Sequence, residues 1–338
     1  MRILHIASHD AFLRGGAVQI LRMVKGQSRL GCSGTVVLNR DSCDGLLQCI
    51  EGFRLICRRL NAKNLVFLLE LSKGHEVVHT HKPQAFRVGF FAKLILRKPV
   101  FFQRGTTYRL KGLSFTGVRA LSIPVIAVSH AVKRVLLKSG LREDKVHVVY
   151  GSAEYSDVKR ERRKVPALGI VAAFTGKKGY PLFFTLAGRL LSFASFKFYV
   201  FGSGKKSKFE EYYRDIRESV SFMGYVSDSS KIYGTIDLLL CTSLKGEGFT
   251  GSVREAMLYG VPVATTPVSG NPEFVDAFKT GLILDFEAER SAAVLLKAVF
   301  NPALLTRLSR NAKRKALRFF TVERQAERMI EIYKGAVR

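Results

Sequence analysis

Two Rossmann-like α/β units in tandem are what this sequence predicts, and three observations carry the prediction. Apolar runs of strand length alternate with amphipathic segments along the whole chain. A densely charged stretch, Lys159-Arg160-Glu161-Arg162-Arg163-Lys164, followed by Pro166, interrupts the alternation near its midpoint, after which it starts again. The 338 residues, 47% of them hydrophobic, exceed what one ordinary core takes. They suit two domains of about 150 residues each.

In chain order, the first unit (residues 1–158) has apolar runs at Ile3–Ala7, Thr35–Leu38, Val77–His79, Val100–Gln103, Val125–Val128 and Val146–Tyr150. Helical segments at Ala17–Gly26, Gln84–Leu96 and Ala131–Lys138 fall between them. Continuous rather than alternating apolar character marks strands covered on both faces, so the sheet is expected to be parallel. The second unit (residues 165–321) repeats the pattern with strands at Leu168–Phe174, Phe196–Phe201, Ser221–Met223, Leu238–Cys241, Val263–Thr265 and Gly281–Leu284. Helices follow at Pro302–Phe319 and Val322–Val337. Ligands of such sheets bind beyond the carboxyl ends of the strands, so a ligand shared by two units would lie in the cleft separating them.

Charge is the extreme property. Residues 1–150 hold 25 Lys and Arg against 8 Asp and Glu, net +17, and residues 151–338 hold 30 against 19, net +11. Such a balance concentrates anionic partners: nucleic acid, acidic lipid headgroups or a phosphorylated substrate. A solvated basic surface explains the same numbers. The N-terminal apolar run is too short for a signal peptide. No window approaches the roughly 18 uncharged apolar residues of a membrane span; Phe86–Phe102 is broken by Arg87, Lys93, Arg97 and Lys98. Five cysteines (Cys32, Cys43, Cys49, Cys57, Cys241) without knuckle or redox-pair spacing read as reduced thiols of a cytoplasmic protein.

The chemistry concentrates after the strand ending at Cys241, where Glu247 and Glu255 flank a glycine-rich turn that opens a helix. Gly248 and Gly251 allow close backbone approach. The amides of residues 249–252, at the positive end of a helix dipole, favour a diphosphate, and the carboxylates accept from sugar hydroxyls. A structural reading competes: Ser252-Val253-Arg254-Glu255 is also a capping box, with Ser252 as the cap and Glu255 reaching back. That explains Glu255 without a ligand but leaves Glu247 and the glycines unexplained.

With Ala256-Met257 and Gly260-Val261-Pro262-Val263, this stretch resembles the signature of retaining glycosyltransferase family 4. Gly270-Asn271-Pro272-Glu273-Phe274-Val275, Gly281-Leu282-Ile283-Leu284, Lys178-Gly179, Gly202-Ser203-Gly204 and Gly15-Gly16-Ala17 match further family elements. The resemblance implies a GT-B fold, two Rossmann-like domains facing across a cleft, with the helix of residues 322–338 crossing back to the first. It implies Glu255 on the donor ribose, Glu247 on the transferred sugar, the amides of Phe249, Thr250 and Gly251 on sugar and phosphate, and Lys178 neutralising the departing diphosphate. Gly16, Gly202 and Gly248 join the donor site, and no metal or cofactor is needed, since no Asp-x-Asp pair follows a strand.

Departures from the family pattern stand at Ala172 and Ala173, where an arginine ordinarily grips the phosphates, with Lys177 nearby. Gln103-Arg104-Gly105 occupies the place of a histidine beside the reaction centre, and Arg104 is the candidate there. His79 and His81, at a strand end, read as packing residues. The implied donor is UDP-, GDP- or ADP-linked, and the acceptor is a glycan or glycolipid of cell-envelope polysaccharide or lipopolysaccharide synthesis. Basic residues interleaved with Tyr108, Leu110 and Phe115 suit peripheral attachment to an anionic membrane surface on the cytoplasmic side. No nucleic-acid motif accompanies the charge, which leaves a basic nucleic-acid-binding protein as the weakest alternative. A GT-B protein without transferase activity, such as a sugar-nucleotide epimerase or a degenerate transferase, is the stronger one.

Overall fold

A computed structural model describes residues 1–8, 15–40, 51–158, 163–276 and 279–337. It divides into two compact units, Met1–Ser152 with Phe319–Arg338, and Ala153–Arg318. The charged stretch expected to link them lies, at residues 159–162, outside the described residues.

The chain runs β1 (Arg2–Ala7), α1 (Gly15–Arg29), β2 (Ser33–Leu38), β3 (Phe53–Cys57), α2 (Leu65–Lys73), β4 (Val77–His81), α3 (Lys82–Leu96), β5 (Val100–Arg104), α4 (Leu113–Ala120), β6 (Val125–Ala127), α5 (His130–Lys138) and β7 (Val146–Val148). It continues through β8 (Ala167–Val171), α6 (Tyr180–Leu191), β9 (Lys197–Phe201), α7 (Glu210–Tyr213), β10 (Val220–Gly224), α8 (Ser229–Thr235), β11 (Leu238–Cys241), α9 (Gly251–Leu258), β12 (Val263–Thr265), β13 (Leu282–Ile283), α10 (Ala288–Val299), α11 (Pro302–Phe319) and α12 (Val322–Val337).

In the first unit, seven parallel strands lie in the order β3-β2-β1-β4-β5-β6-β7. The central runs are buried on both faces: Leu4 and Ile6 pack among Val78, Phe86 and Phe102 on one side, while Ile3 joins Met23, Val24 and Phe101 on the other. That second layer is closed by α12, whose Met329 and Tyr333 belong to it. Helices α1 and α12 touch closely enough that a Cβ on Gly26 would meet the Val322 carbonyl oxygen at 2.5 Å. The Ser152 hydroxyl donates to Gln325 Oε1 at 2.7 Å.

The second unit repeats the winding with six parallel strands, β10-β9-β8-β11-β12-β13. Its core is aromatic, with Tyr180, Phe183, Phe184 and Phe198 fully buried. The order reverses between β8 and β11, so their carboxyl ends splay apart and leave the crevice that such sheets use for ligands.

The cysteines require a correction. Cys57 is disulfide-bonded, whereas Cys32 and Cys241 are free and buried; Cys43 and Cys49 lie outside the described residues. No single helix among the described residues is long and apolar enough to cross a membrane.

Candidate active site

The crevice of the second unit is built by two loops that hold each other. After β8 the chain makes a short turn over Gly176–Lys178 and enters α6 through Gly179. Gly179 has φ +68°, and a Cβ there would lie 1.8 Å from the Thr242 carbonyl oxygen, so only glycine fits. This contact presses the lysine turn onto the loop after β11. The Thr242 hydroxyl donates to the Lys178 carbonyl at 3.1 Å, and the Leu244 amide donates to that of Lys177 at 2.8 Å. Gly202, after β9, packs against the end of β8: a Cβ would meet the Ala172 carbonyl oxygen at 1.8 Å.

Glu247 is thereby brought to both lysines. Its Oε1 lies 3.0 Å from Lys178 Nζ and 3.4 Å from Lys177 Nζ. Burial pushes the Glu247 carboxyl up, but the ammonium groups of Lys178 and then Lys177 outweigh it and hold the pKa below its ordinary value. Glu247, which the sequence left without a structural partner, is thus the anionic member of a three-residue ion cluster.

The turn into α9 corrects two further expectations. The N-cap is Thr250 rather than Ser252, and it makes no side-chain cap bond. Glu255 does not close a capping box; its Oε2 accepts from the Tyr233 hydroxyl at 3.1 Å. Nor are all the expected amides open. The Thr250 N–H donates to Asn271 Oδ1 at 3.1 Å, and Asn271, fully buried, is anchored through Nδ2 to the Thr265 hydroxyl at 2.9 Å. The open donors are those of the first helical turn, beginning at Gly251. Phe249 stacks on Phe274 with ring centroids 5.4 Å apart. Arg254 lies over the Phe249 ring at 5.2 Å and donates to the Phe249 carbonyl at 2.9 Å. Gly248 is fixed through its carbonyl, which accepts from the Gly270 amide at 2.8 Å.

Lys178, Thr242, Ser243, Thr250 and Ser252 face one small recess with Ala172, beyond the ends of β8 and β11. Its lining includes four hydroxyl-bearing residues and a lysine, which suits an acceptor-rich anionic group. Sequence reasoning missed Tyr233, Thr242, Ser243 and Asn271. Asn271 stood in a matched motif, and its place between Gly270 and Pro272 was the available signal.

Residues 152–315 match the family of glycosyl transferases group 1. The matched stretch takes in nearly the whole of the second unit, Ala153–Arg318. Among individual relatives, spore coat protein SA of Bacillus subtilis (strain 168) is 29% identical over 122 residues, 35% of this chain and 32% of that one. The match therefore spans about a third of that relative's length. A glycosyltransferase from Rickettsia africae ESF-5 superposes with a TM-score of 0.85 at 18% identity, covering 100% of this chain and 98% of the other. Anabaena Alr3699/HepE, solved in complex with UDP, gives 0.82 at 17%, covering 99% and 100%. These likenesses show the fold, which is GT-B.

Two candidates belong to the first unit. Gly16 lies exposed in the first turn of α1, and residues 9–14 lie outside the described residues. Arg104 ends β5 and donates from Nη2 to the Tyr108 carbonyl at 2.7 Å, and burial lowers its pKa. His79 and His81 are buried there with His5. His5 Nε2 donates to Gln27 Oε1 at 2.8 Å, His81 Nε2 lies 3.2 Å from His5 Nδ1, and His79 Nδ1 is bonded to the Tyr333 hydroxyl. One nitrogen of each ring falls within 4.8 Å of the others. However, His79 and His81 stack at 4.4 Å with planes 16° apart. In-plane lone pairs of two stacked rings do not converge on one ion, so the trio is a packing cluster rather than a ligand set.

Proposed function

We propose that the chain transfers a sugar, with retention of configuration, from a nucleotide-sugar donor to a glycan or glycolipid acceptor of the cell envelope. The observation that carries this reading is the Lys178–Glu247 pair, 3.0 Å apart, beside the open first turn of α9 at the strand-order reversal. A sugar diphosphate suits such a site because it offers anionic oxygens to the lysine and amides and hydroxyls to the carboxylate.

In this reading Lys178 and the first-turn amides stabilise the charge that develops on the diphosphate as the bond from the anomeric carbon to its oxygen breaks. A new bond forms to an acceptor oxygen, which loses its proton. Glu247 accepts from hydroxyls of the transferred sugar, and Glu255, held by Tyr233, from those of the ribose. Phe249, Thr250 and Gly251, with Gly248, shape the sugar pocket, while Gly16, Gly202 and Arg104 complete the donor and acceptor sides. Fixed positive groups do the work of a cation, so the reaction runs without metal or cofactor. The basic first unit supports a cytoplasmic protein held on anionic membrane; flotation with anionic but not neutral liposomes is expected, and equal recovery with both refutes the attachment.

The donor is UDP-, GDP- or ADP-linked, and Anabaena Alr3699/HepE, bound to UDP, supports the first. The test is nucleotide release from a panel of all three classes in the presence of envelope glycolipid acceptors. One class is expected to release nucleotide at a rate that falls at least tenfold in Lys178→Ala. If none does, the absence of a guanidinium at Ala172 and Ala173 decides for a GT-B protein without transferase activity.

A further inference from the structure

Thr250 occupies a helix N-cap without capping. A threonine there ordinarily accepts a hydrogen bond from an amide of the first turn through its hydroxyl. Here the backbone is extended (φ −71°, ψ 130°), as a cap requires, yet no such bond forms. The residue is 3% exposed and its Oγ1 has no partner among the described residues. A buried hydroxyl left in this state is costly unless something completes it.

Asn271 takes the Thr250 amide at 3.1 Å while bonded to Thr265, and so fixes the backbone of the turn. Thr250 lines the recess together with Lys178, Ser252, Thr242 and Ser243; Ala172 contributes no polar side chain. The Thr242 hydroxyl is already spent on the Lys178 carbonyl. The cavity measures about 10 Å³, room for one oxygen-sized atom. An oxygen that accepts from several donors at once fits there, and the neighbouring ammonium and helix N-terminus favour one that carries negative charge.

We propose that the Thr250 hydroxyl is a phosphoryl ligand, donating to one terminal oxygen of the nucleoside diphosphate that enters this recess. The inference rests on the nucleotide-sugar reading above and goes beyond it by assigning a side-chain donor to a residue whose amide is already engaged. It also explains why the cap is left unmade: the hydroxyl's bond is made by the ligand.

Thr250→Val keeps the side-chain shape and removes the donor, and Thr250→Ser restores it. Calorimetric titration with UDP, GDP, ADP and inorganic pyrophosphate, the last independent of base, is the measurement, paired with thermal melting of the ligand-free full chain. For Thr250→Val the expectation is an affinity for pyrophosphate and for the bound nucleotide about 5- to 20-fold weaker. Thr250→Ser should stay within about twofold of the parent, and the ligand-free melting temperature of Thr250→Val should be unchanged or higher. Parent-like affinity in Thr250→Val overturns the assignment and leaves the recess to a water molecule. A ligand-free Thr250→Val that melts well below the parent also overturns it, because the hydroxyl is then structural. A parent that binds pyrophosphate but no nucleotide refutes the nucleotide-sugar reading while leaving the hydroxyl to be decided by the same comparison; a parent that binds neither refutes both.

Discussion

Replacing Glu247 with glutamine tests the site most directly, because the structure predicts effects of opposite sign on two ligands. In the ligand-free protein the carboxylate is shared between Lys178 at 3.0 Å and Lys177 at 3.4 Å. An entering diphosphate must take Lys178 from Glu247 and settle near its negative charge. Glutamine removes both obstacles, so affinity for the nucleoside diphosphate alone should hold or rise severalfold. The sugar nucleotide, by contrast, loses a charged acceptor for its sugar hydroxyls. A hydrogen bond to a charged group contributes about 1.5–3 kcal/mol, which at about 1.4 kcal/mol per decade lowers kcat/KM roughly 10- to 100-fold. Since the lysines hold the Glu247 pKa below its ordinary value, the carboxylate is ionised throughout neutral pH, and the ratio of wild type to variant should be flat from about pH 6 to 8. Nucleotide-release kinetics and equilibrium binding of the free diphosphate supply the two readings. Turnover within twofold of wild type, or a loss of diphosphate affinity as large as the loss of kcat/KM, would refute the assigned role.

Three other perturbations follow from the same geometry. Tyr233→Phe removes the hydroxyl that holds Glu255 at 3.1 Å and should raise KM for the sugar nucleotide about 2- to 10-fold with kcat little changed; an unaltered KM argues against Glu255 on the ribose. Gly179→Ala forces a Cβ to within 1.8 Å of the Thr242 carbonyl oxygen, so the lysine turn must shift; the expected loss is about 2 kcal/mol or more of stability by denaturant titration, together with weaker diphosphate binding. The buried imidazoles should make the first unit acid-labile. Burial lowers His5 to about 4 from an ordinary 6.5, so the unfolded chain takes up the proton first. Stability is intact above pH 6.5 and falls between 6.5 and about 4, by about 3 kcal/mol for this group; unfolding free energy that stays level across that window would contradict the burial.

Legibility in the sequence followed burial. Strands such as β11 are covered on both faces and read as unbroken apolar runs, whereas β3 sits at a sheet edge with Arg54 exposed and gave no comparable signal. The glutamates and Lys178 were visible as motif members, but their pairing was not. It arises because β8 and β11 are neighbours in the sheet while two strands separate them in the chain. The cap was misplaced for a related reason. Thr250 and Ser252 are both good capping residues, and the local spacing to Glu255 favours Ser252. The helix instead begins at Gly251, so Thr250 is the cap, and its amide is taken by Asn271, a residue beyond the next strand. Tertiary hydrogen bonds of this kind leave no local trace.

The closing of the first unit by α12 sets an order of events during synthesis. Met329 and Tyr333 complete the layer that contains Ile3, Met23 and Phe101, and the Tyr333 hydroxyl bonds His79 Nδ1. A nascent chain that has delivered residues 1–152 therefore still lacks part of its own core, and must keep an apolar face of α1 and the sheet uncovered while the whole second unit is made. The second unit, continuous from Ala153 to Arg318, can fold in one stretch. The unit that begins first is thus the one that finishes last, and a ribosome stalled before residue 319 leaves a first unit that invites chaperones and aggregation.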